Sequence, residues 1–256
     1  MESIGTVEWE KFCDLLVSDH KLGPATRNRV RALLSKMYND ARRQRVVSQN
    51  PISIIPKLKE KAKKWDYWQT SEECARYLRA AESEGAAFGL FAYIALNTGA
   101  RVGEVLALSH HEVDLEKRRI RIWRIVEAAS GDVCERTKGF TERWLGINDS
   151  LFPMLRNAAG GSSDQVLLES EGQRLEHRKL RNIHLRVCRQ AGVRPIRIHD
   201  LRHTFASHYV MNGGSLAELQ GLLGHTSPYD FEVRASCTGF FGIESASRFI
   251  FRCQYN

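Results

Sequence analysis

Three short polar motifs constrain the fold of this chain most strongly, because they lie far apart in the sequence and can act together only if the fold joins them. They are Thr98-Gly99-Ala100-Arg101 followed by Glu104, then His199-Asp200-Leu201-Arg202-His203, then Leu223-Gly224-His225. Each motif alone has an ordinary explanation, since polar residues three apart on a helix are commonly plain neighbours. Their occurrence together, in this order, predicts one shared site.

Length and charge set the broad class of the protein. The chain has 256 residues, of which 43% are hydrophobic, enough for one large domain or for a large domain with a small companion. The formal net charge of +8 favours a polyanionic partner such as nucleic acid, although the same basicity also serves solubility. Charge alone therefore permits DNA binding without establishing it.

Cysteine usage and hydropathy predict a cytoplasmic location. Six cysteines are dispersed without a CxxC pair and without a secretory segment, which is typical of reduced, structural thiols. The most apolar stretch, Ala86 to Leu96, is shorter than the roughly 20 residues that span a bilayer. No membrane partner is predicted.

The apolar pattern of residues 1–55 predicts two helices that pack against each other along one apolar face. A weak helical pattern covers about Val7 to Val17, and a stronger one runs from Pro24 to Val46, stopped by Asn50 and Pro51. Its apolar face consists of Val30, Leu33, Leu34, Met37 and Ala41. Two helices form a thin domain, so this unit is expected to be incomplete.

A basic run follows, with almost nothing apolar between Pro56 and Trp65. It is interpreted either as a solvated linker or as a strap along DNA phosphates. The candidate DNA-binding residues are the lysines of this run and two arginines of the preceding helix: Lys57, Lys59, Lys61, Lys63, Lys64, Arg27 and Arg31.

A second domain is predicted to begin at Thr70, which can form a capping box with Glu73. Helical patterns and strand patterns alternate beyond it, so the fold class is α+β: mainly α with a small antiparallel β-sheet. The helices cover about Ser71 to Ala81, Ala86 to Asn97, Glu176 to Ala191 and Asp200 to Met211. The strands cover Arg119 to Val126, Asp132 to Lys138 and Arg143 to Ile147, with a hairpin at Gly139.

Together the three motifs resemble those of the tyrosine recombinase, or phage integrase, family, and the resemblance runs from about Thr70 to at least Tyr229. It implies a DNA breaking-rejoining type of catalytic domain at residues 70–256, after a basic linker at 56–69. It also implies that residues 1–55 are part of the helical, SAM-like core-binding domain that helps to clamp duplex DNA. Because that companion has too few helices here, the chain is expected to be truncated or to begin inside a longer ancestral frame.

The resemblance also implies five catalytic residues and neither metal nor cofactor. Arg101 and Arg202 would bind the nonbridging phosphate oxygens, where charge builds in the transition state. Lys138 matches the lysine at the tip of the second sheet hairpin and would be the general acid for the departing 5′ hydroxyl. His199 and His225 would hydrogen-bond the phosphate and assist proton transfer.

Three neighbouring residues are not expected to be catalytic. Glu104 is either a support for Arg101, as the resemblance implies, or a plain carboxylate on a helix surface. Asp200 is expected to cap the helix that carries Arg202, accepting hydrogen bonds from its first backbone N–H groups. His203 is expected to be structural.

The nucleophile expected from the resemblance is missing. The family's tyrosine follows the histidine of Leu-Gly-His by about nine residues, where this sequence has Arg234. Tyr209, Tyr229 and Tyr255 are interpreted as structural, because in-line attack tolerates little misplacement.

A reading-frame shift would explain this tail, which is anomalous over residues 230–243. Codons for Asp230 to Phe240, read one nucleotide later, permit Thr-Leu-Arg-Tyr-Ala-His-Leu-Ala-Pro-Asp, an ending similar to that of the family. If two nucleotides were lost after the codon for Tyr229, restoring them places the tyrosine at position 234. The hypothesis is a frameshift near Tyr229, compensated near Gly242.

Three functions follow as hypotheses. The first is a site-specific recombinase or integrase of a mobile element, which acts through a 3′-phosphotyrosyl intermediate in DNA integration and recombination, with cleavage impaired in this chain. The family assembles as a tetramer on DNA, and the altered tail would disturb that assembly. The second is an inactive DNA-binding relative that serves as regulator or competitor. The third, a metal-dependent phosphohydrolase using His199, Asp200, His203 and His225, is disfavoured because Arg101 and Arg202 would repel the ion.

Overall fold

A computed structural model describes residues 6–18, 20–60, 66–135, 142–159, 167–170 and 173–224. The chain divides into two compact units, Met1–Lys64 and Trp65–Asn256, which we call unit 1 and unit 2. In the described part of the chain, helices dominate and the strands form small antiparallel sheets, so the predicted fold class is confirmed.

Unit 1 consists of helix α1 (Thr6–Ser18), helix α2 (Pro24–Arg43) and a 3₁₀ turn (Pro51–Ile54). Pro24 opens α2, where its missing N–H costs nothing. The sequence predicted that Asn50 and Pro51 end this helix, but α2 already ends at Arg43. Asn50 instead caps the 3₁₀ turn by accepting a hydrogen bond from Ile52 N at 3.0 Å. The core of the unit is formed by Trp9, Tyr38, Val47, Ile52 and Ile55.

The apolar face predicted for α2 is only partly buried. Val30, Leu34 and Ala41 pack against the core of unit 1. Leu33 and Met37 were predicted to join them but are 60% and 48% exposed. Four-residue spacing places these two side chains on a separate strip of the helix surface, which the core of the unit does not reach.

Among its described residues, unit 2 contains seven α-helices and one 3₁₀ turn (His110–Glu112). The α-helices are α3 (Ser71–Glu84), α4 (Ala86–Thr98), α5 (Val102–Leu106), α6 (Phe152–Ala158), α7 (His177–Gln190), α8 (Asp200–Met211) and α9 (Leu216–Leu223). The capping box at the start of α3 is confirmed: Thr70 Oγ1 accepts from Glu73 N at 3.2 Å, and Glu73 Oε2 accepts from Thr70 N at 3.1 Å. Over the described part of the chain, no helix combines the length and apolarity needed to cross a membrane.

The strands of unit 2 pair differently from the sequence prediction. Strands β1 (Val113–Asp114), β2 (Arg119–Ile122) and β5 (Arg143–Gly146) form one antiparallel sheet, in the order β1-β2-β5. Strands β3 (Arg124–Val126) and β4 (Val133–Glu135) form a second sheet, and β6 (Glu169–Ser170) and β7 (Gln173–Arg174) a third. The hairpin predicted at Gly139 lies outside the described residues.

One predicted strand, Arg119 to Val126, is divided at Trp123 between two sheets. The indole Nε1 of Trp123 donates to Glu112 at 2.8 Å. Trp123 lies between the two strands, of which β2 pairs with β1 and β5 and β3 pairs with β4. Alternation of Ile and Val residues could not reveal the break, because both strands share that composition.

Trp68 anchors the beginning of unit 2 to the helix that carries Arg202. It is fully buried, its backbone N donates to Thr204 Oγ1 at 3.3 Å, and its backbone oxygen is 2.9 Å from His208 Nε2. Its indole Nε1 also donates to Arg194 O at 2.8 Å. Helix α8 is therefore fixed along one side by a residue that lies 136 positions before Thr204 and 140 before His208 in sequence.

Candidate active site

The end of α4 brings three helices together and starts the first polar motif. Helix α4 is buried on almost every side and ends at Gly99, whose φ of 64° is left-handed and favours glycine. A Cβ at this position would lie 2.8 Å from Leu223 Cδ2 and would also overlap the ring of Phe205. Gly99 thus allows α4, α8 and α9 to approach one another, and Arg101 follows at their junction.

Arg101 is fixed by Glu104, one turn further along. The backbone N of Arg101 donates to Glu104 Oε2 at 2.8 Å, and its Nη1 donates to Glu104 Oε1 at 3.0 Å. The Arg101 side chain remains 36% exposed, whereas that of Glu104 is fully buried. Of the two interpretations of Glu104, support for Arg101 is therefore correct, and a plain surface carboxylate is wrong.

Arg143, from strand β5, also binds Glu104. Its Nη2 donates to Glu104 Oε2 at 2.6 Å, and the Arg143 side chain is 8% exposed. Burial would raise the pKa of Glu104, but the charges and hydrogen bonds of Arg143 and Arg101 lower this pKa to about 2. Glu104 is thus an ionised carboxylate between two guanidinium groups.

Three arginines converge on the carboxyl end of helix α9. Arg202 Nη2 donates to Leu223 O at 2.7 Å, Arg101 Nη1 lies 3.5 Å from the same oxygen, and Arg143 Nε donates to Leu222 O at 2.7 Å. The last carbonyls of a helix lack partners within the helix and carry its negative dipole end, so they attract cations. We call Arg101, Arg143, Arg202 and Glu104 the arginine cluster.

Arg202 joins this helix end to the end of α4. Its Nη1 donates to Gly99 O at 2.8 Å, and the residue is 4% exposed. Both fork nitrogens of the guanidinium are therefore directed by backbone carbonyls, which sets its plane. Gly224 then ends α9 in a left-handed conformation, with φ of 64°.

His199 lies at the start of α8, beside the cluster. Burial, followed by the charge of Arg202, lowers the pKa of His199, and the charge of Arg101 acts in the same direction. The ring of His203 meets that of His199 edge to face at 5.6 Å between centroids. Burial is also the main cause that lowers the pKa of His203 to about 4. Both imidazoles are therefore neutral at pH 7.

Asp200 does not cap α8 as predicted. Its buried carboxylate accepts instead from Arg197, through backbone N at 3.2 Å, Nε at 2.8 Å and Nη2 at 2.7 Å. Asp200 is the first residue of the helix rather than the residue before it, so its side chain turns back to the preceding loop. This pairing also engages both carboxylate oxygens that a metal-dependent phosphohydrolase would need as ligands.

The segment before His199 is held by a second buried contact. Tyr77 OH lies 2.7 Å from His184 Nδ1, and His184 Nε2 lies 2.9 Å from Ile196 O. Because a carbonyl only accepts, His184 donates through Nε2 and accepts from Tyr77 through Nδ1. Helices α3 and α7 thereby fix the backbone three residues before His199.

The structure brings together three of the five predicted catalytic residues, Arg101, His199 and Arg202. Lys138, His225 and the position of Arg234 lie outside the described residues, as do Lys61, Lys63 and Lys64. Roles for these residues stay predictions. Within the described part of the chain, no group of three or more His, Cys, Asp or Glu residues is placed to hold a metal ion.

The remaining predicted DNA-binding residues lie in unit 1. Lys57 and Lys59 are exposed, and Asn28 holds the backbone between them: Leu58 N donates to Asn28 Oδ1, and Asn28 Nδ2 donates to Leu58 O, both at 2.9 Å. Arg31 donates to Ile55 O at 2.7 Å, so part of its guanidinium group is engaged within the unit. Arg27 is half-buried.

The sequence prediction did not identify Arg143 as part of the site. A usable signal was present, because residues 143, 145 and 147 alternate with exposed positions and therefore share one face of the strand. Leu145 and Ile147 are core residues, so an arginine in register with them needs a buried acidic or carbonyl partner.

The fold has a counterpart among solved structures. The structure is similar to that of the Tn1549 transposon integrase in complex with a circular intermediate DNA, with a TM-score of 0.74 over 90% of this chain and 80% of that chain, at 16% identity. Residues 68–230 match the Phage integrase family, and the chain belongs to this family of tyrosine recombinases.

Two curated relatives agree with this assignment. The ICEBs1 integrase of Bacillus subtilis (strain 168) is 24% identical over 221 residues, 78% of this chain and 58% of that protein. The tyrosine recombinase XerC of Thermodesulfovibrio yellowstonii is 31% identical over 138 residues, 51% of this chain and 44% of that protein. The matches thus span about half the length of these relatives.

Proposed function

We propose that this chain binds duplex DNA and grips one backbone phosphate with Arg101, Arg202 and His199. The observation that carries the proposal is the convergence of two guanidinium groups within 3.5 Å of one backbone oxygen, Leu223 O. Their fixed positions suit the nonbridging oxygens of a phosphodiester, which two arginine forks bind with directional hydrogen bonds. Neutral His199 beside them adds a donor or acceptor without further charge.

The proposed chemistry is metal-free phosphoryl transfer. Negative charge grows on the nonbridging oxygens in the transition state, and preorganised cations stabilise it without reorganising. In this proposal Lys138 donates a proton to the 5′ oxygen as its bond to phosphorus breaks, which releases a 5′ hydroxyl. His225, which follows the capping glycine of α9 in sequence, completes the phosphate contacts. The chain then consists of a partial core-binding domain at residues 1–55, a basic linker at 56–69 and the catalytic domain at 70–256.

Exposed lysines of unit 1 support a role in DNA binding. Asn28 holds the backbone at Leu58 from both sides, and this fixes the path of the chain where Lys57 and Lys59 are exposed. A backbone held in place loses less entropy on binding than a free linker would. We therefore favour the strap along phosphates over the solvated linker.

We also propose that strand cleavage is impaired, because Arg234 occupies the position expected for the tyrosine. Two observations support a frameshift near Tyr229 as the origin. The match to the family ends at residue 230, and the shifted frame of the following codons permits a family-like sequence with a tyrosine at position 234. The nucleotide sequence between the codons for Tyr229 and Gly242 decides this point.

Binding to phosphate is tested by salt titration, because backbone contacts need no particular DNA sequence. Duplex affinity is measured for the wild type, for Arg101→Ala and for Arg121→Ala, a matched loss of an arginine away from the cluster. Losing one phosphate contact should weaken binding and reduce the slope of log affinity against log salt by about 0.9. Unchanged affinity and slope in Arg101→Ala would refute the phosphate grip.

Cleavage is tested separately with a suicide substrate that traps a covalent protein–DNA adduct. Substrates come from a random duplex pool enriched for binding to this chain. The wild type should give no adduct, and a chain with the frame restored should give one. Robust adduct from the wild type would refute impairment, whereas binding without adduct in both the restored chain and Arg234→Tyr would favour a regulator or competitor.

A further inference from the structure

Arg143 is buried where strand β5 reaches Glu104, the partner of Arg101, and the end of α9, which binds Arg202. It is the first residue of β5 and pairs in register with Ile122, which is also buried. Its face of the sheet is otherwise apolar, being lined by Ile120, Ile122 and Leu145. A guanidinium in such a position must be compensated, because an unpaired charge is costly to bury.

Two contacts of Arg143 lead to different parts of the site. Through Nη2 at 2.6 Å it holds Glu104 Oε2, the oxygen that also accepts from Arg101 N. Through Nε at 2.7 Å it holds Leu222 O, adjacent to the Leu223 carbonyl that binds Arg202. One planar group thus connects strand β5, the turn of Arg101 and the end of α9.

We propose that Arg143 is a positioning residue, which sets the Arg101 guanidinium through Glu104 and the Arg202 guanidinium through the end of α9. The effect of Arg143 on DNA binding rests on the proposed function, since Arg101 and Arg202 are the two arginines proposed to bind the phosphate. Lysine cannot replace it fully, because an ammonium group lacks the planar fork that reaches a carboxylate and a carbonyl in fixed directions. Arg143→Lys should keep the charge and lose this geometry.

The geometry of Glu104 makes the effect on Arg101 specific. The carboxylate accepts from Arg101 through both oxygens, and Arg143 donates to one of them. Rotation of the carboxylate away from Arg143 would therefore also turn Oε1 away from Arg101 Nη1. Arg121 provides a matched control, since it donates to both oxygens of Glu142 at 2.8 and 2.9 Å on the exposed face of the same sheet.

The experiment uses the full chain with ¹⁵N-labelled arginine. Side-chain Nε–Hε signals of Arg101 and Arg202 are assigned by Arg101→Lys and Arg202→Lys, then compared between wild type, Arg143→Lys and Arg121→Lys. The proposal expects Arg143→Lys to shift both signals and to weaken binding of a generic duplex by about fivefold. Arg121→Lys should move neither signal. Unchanged Arg101 and Arg202 signals in folded Arg143→Lys would overturn the proposal.

Failure of the proposed function is distinguishable from failure of this inference. If duplex DNA does not perturb the Arg101 signal of the wild type, the phosphate grip is refuted, whatever Arg143→Lys does to the free protein. If Arg143→Lys does not fold, the wild type supplies the measurement: the Arg143 Nε–Hε proton should exchange slowly with solvent and show a cross-peak to Leu222. Rapid exchange without that cross-peak would equally overturn the positioning role.

Discussion

Two consecutive residues, Glu142 and Arg143, enter arginine–glutamate pairs on opposite faces of the same sheet. Arg143 binds Glu104 at 2.6 Å, with side-chain exposures of 8% and 0%. Glu142 binds Arg121 at 2.8 Å, with exposures of 45% and 33%. We call Arg119, Arg121 and Trp144 the outer sheet face. The outer pair is bidentate, since Arg121 donates to both oxygens of Glu142, whereas Arg143 donates through Nη2 to one oxygen of Glu104. A larger effect at the inner pair would therefore come from its burial and not from a fuller pair geometry.

Burial makes the inner pair a structural requirement and leaves the outer pair dispensable. Removing one partner of a buried pair leaves an uncompensated charge, whereas exposed partners return to water. The inner pair also holds groups beyond itself, namely Arg101 and the end of α9. The arginine cluster should therefore respond strongly to single substitutions, and the outer sheet face weakly.

The largest effect is expected from Glu104→Ala. This change leaves the buried Arg143 and the half-buried Arg101 without their carboxylate, and should lower the free energy of unfolding by about 3–5 kcal/mol. Urea denaturation followed by circular dichroism measures it. A loss below about 1 kcal/mol would mean that the cluster resembles a surface pair, and the comparison between the two faces would fail.

The second largest effect is expected from lowering the pH, which should destabilise the region of the arginine cluster. His203, with its side chain 12% exposed, has a folded pKa of about 4, below the usual 6.5, mainly because of burial. The unfolded chain takes up this proton as the pH falls through 6.5, and the folded chain takes it up only near 4, so stability falls across that window and levels off below it. His203 should account for about 1–2 kcal/mol between pH 7 and pH 5.

Urea denaturation of wild type and His203→Gln at both pH values measures this contribution. The loss on acidification should be smaller in the variant, because glutamine takes up no proton. Burial lowers the pKa of His184, His199 and His208 in the same direction, so a reduced acid sensitivity should remain. An identical loss in the two proteins would contradict a neutral, buried His203.

Sequence reasoning identified the helices and the residues of the three motifs, but not what holds those residues in place. Helix α8 was predicted at its observed bounds, Asp200–Met211, because Leu201, Thr204, Phe205 and His208 recur at helical spacing. Arg101 and Arg202 were identified by motif. The carbonyls of Gly99 and Leu223 that orient Arg202 carry no side-chain signal, since every residue has such a group.

Long-range pairing limited the prediction of the sheet. Strand propensity located residues 119–126 and 143–147, but β2 pairs with both β1 and β5, and the two residues of β1 are too few for a recognisable pattern. Asp200 shows a different limit, because two local partners compete for its carboxylate. A carboxylate at a helix start favours capping in general, and the bidentate bond to Arg197 prevailed here because that guanidinium is three residues away.

A smaller effect is expected on the outer sheet face from Trp144→Ala. The Arg119 guanidinium lies 4.0 Å from the centre of the Trp144 ring, which is itself 41% exposed. A cation–π contact at such a site contributes about 0.5–1 kcal/mol, and the variant should lose that amount in urea denaturation. Trp144→Phe, which keeps an aromatic face, should lose less. A loss comparable to that of Glu104→Ala would show that the outer face is also structurally required.

The smallest effect is expected from Glu142→Gln. Both partners of this pair are partly exposed, so solvent and salt compensate the lost charge, and the melting temperature should change by no more than about 2 °C. In 1 M NaCl, where the screening length is about 3 Å, even this change should vanish. The destabilisation by Glu104→Ala should persist in that salt, since its pair is shielded from ions. If both variants lost stability equally, or if salt abolished both effects, burial could not be what separates these two arginine–glutamate pairs, which involve the adjacent residues Glu142 and Arg143.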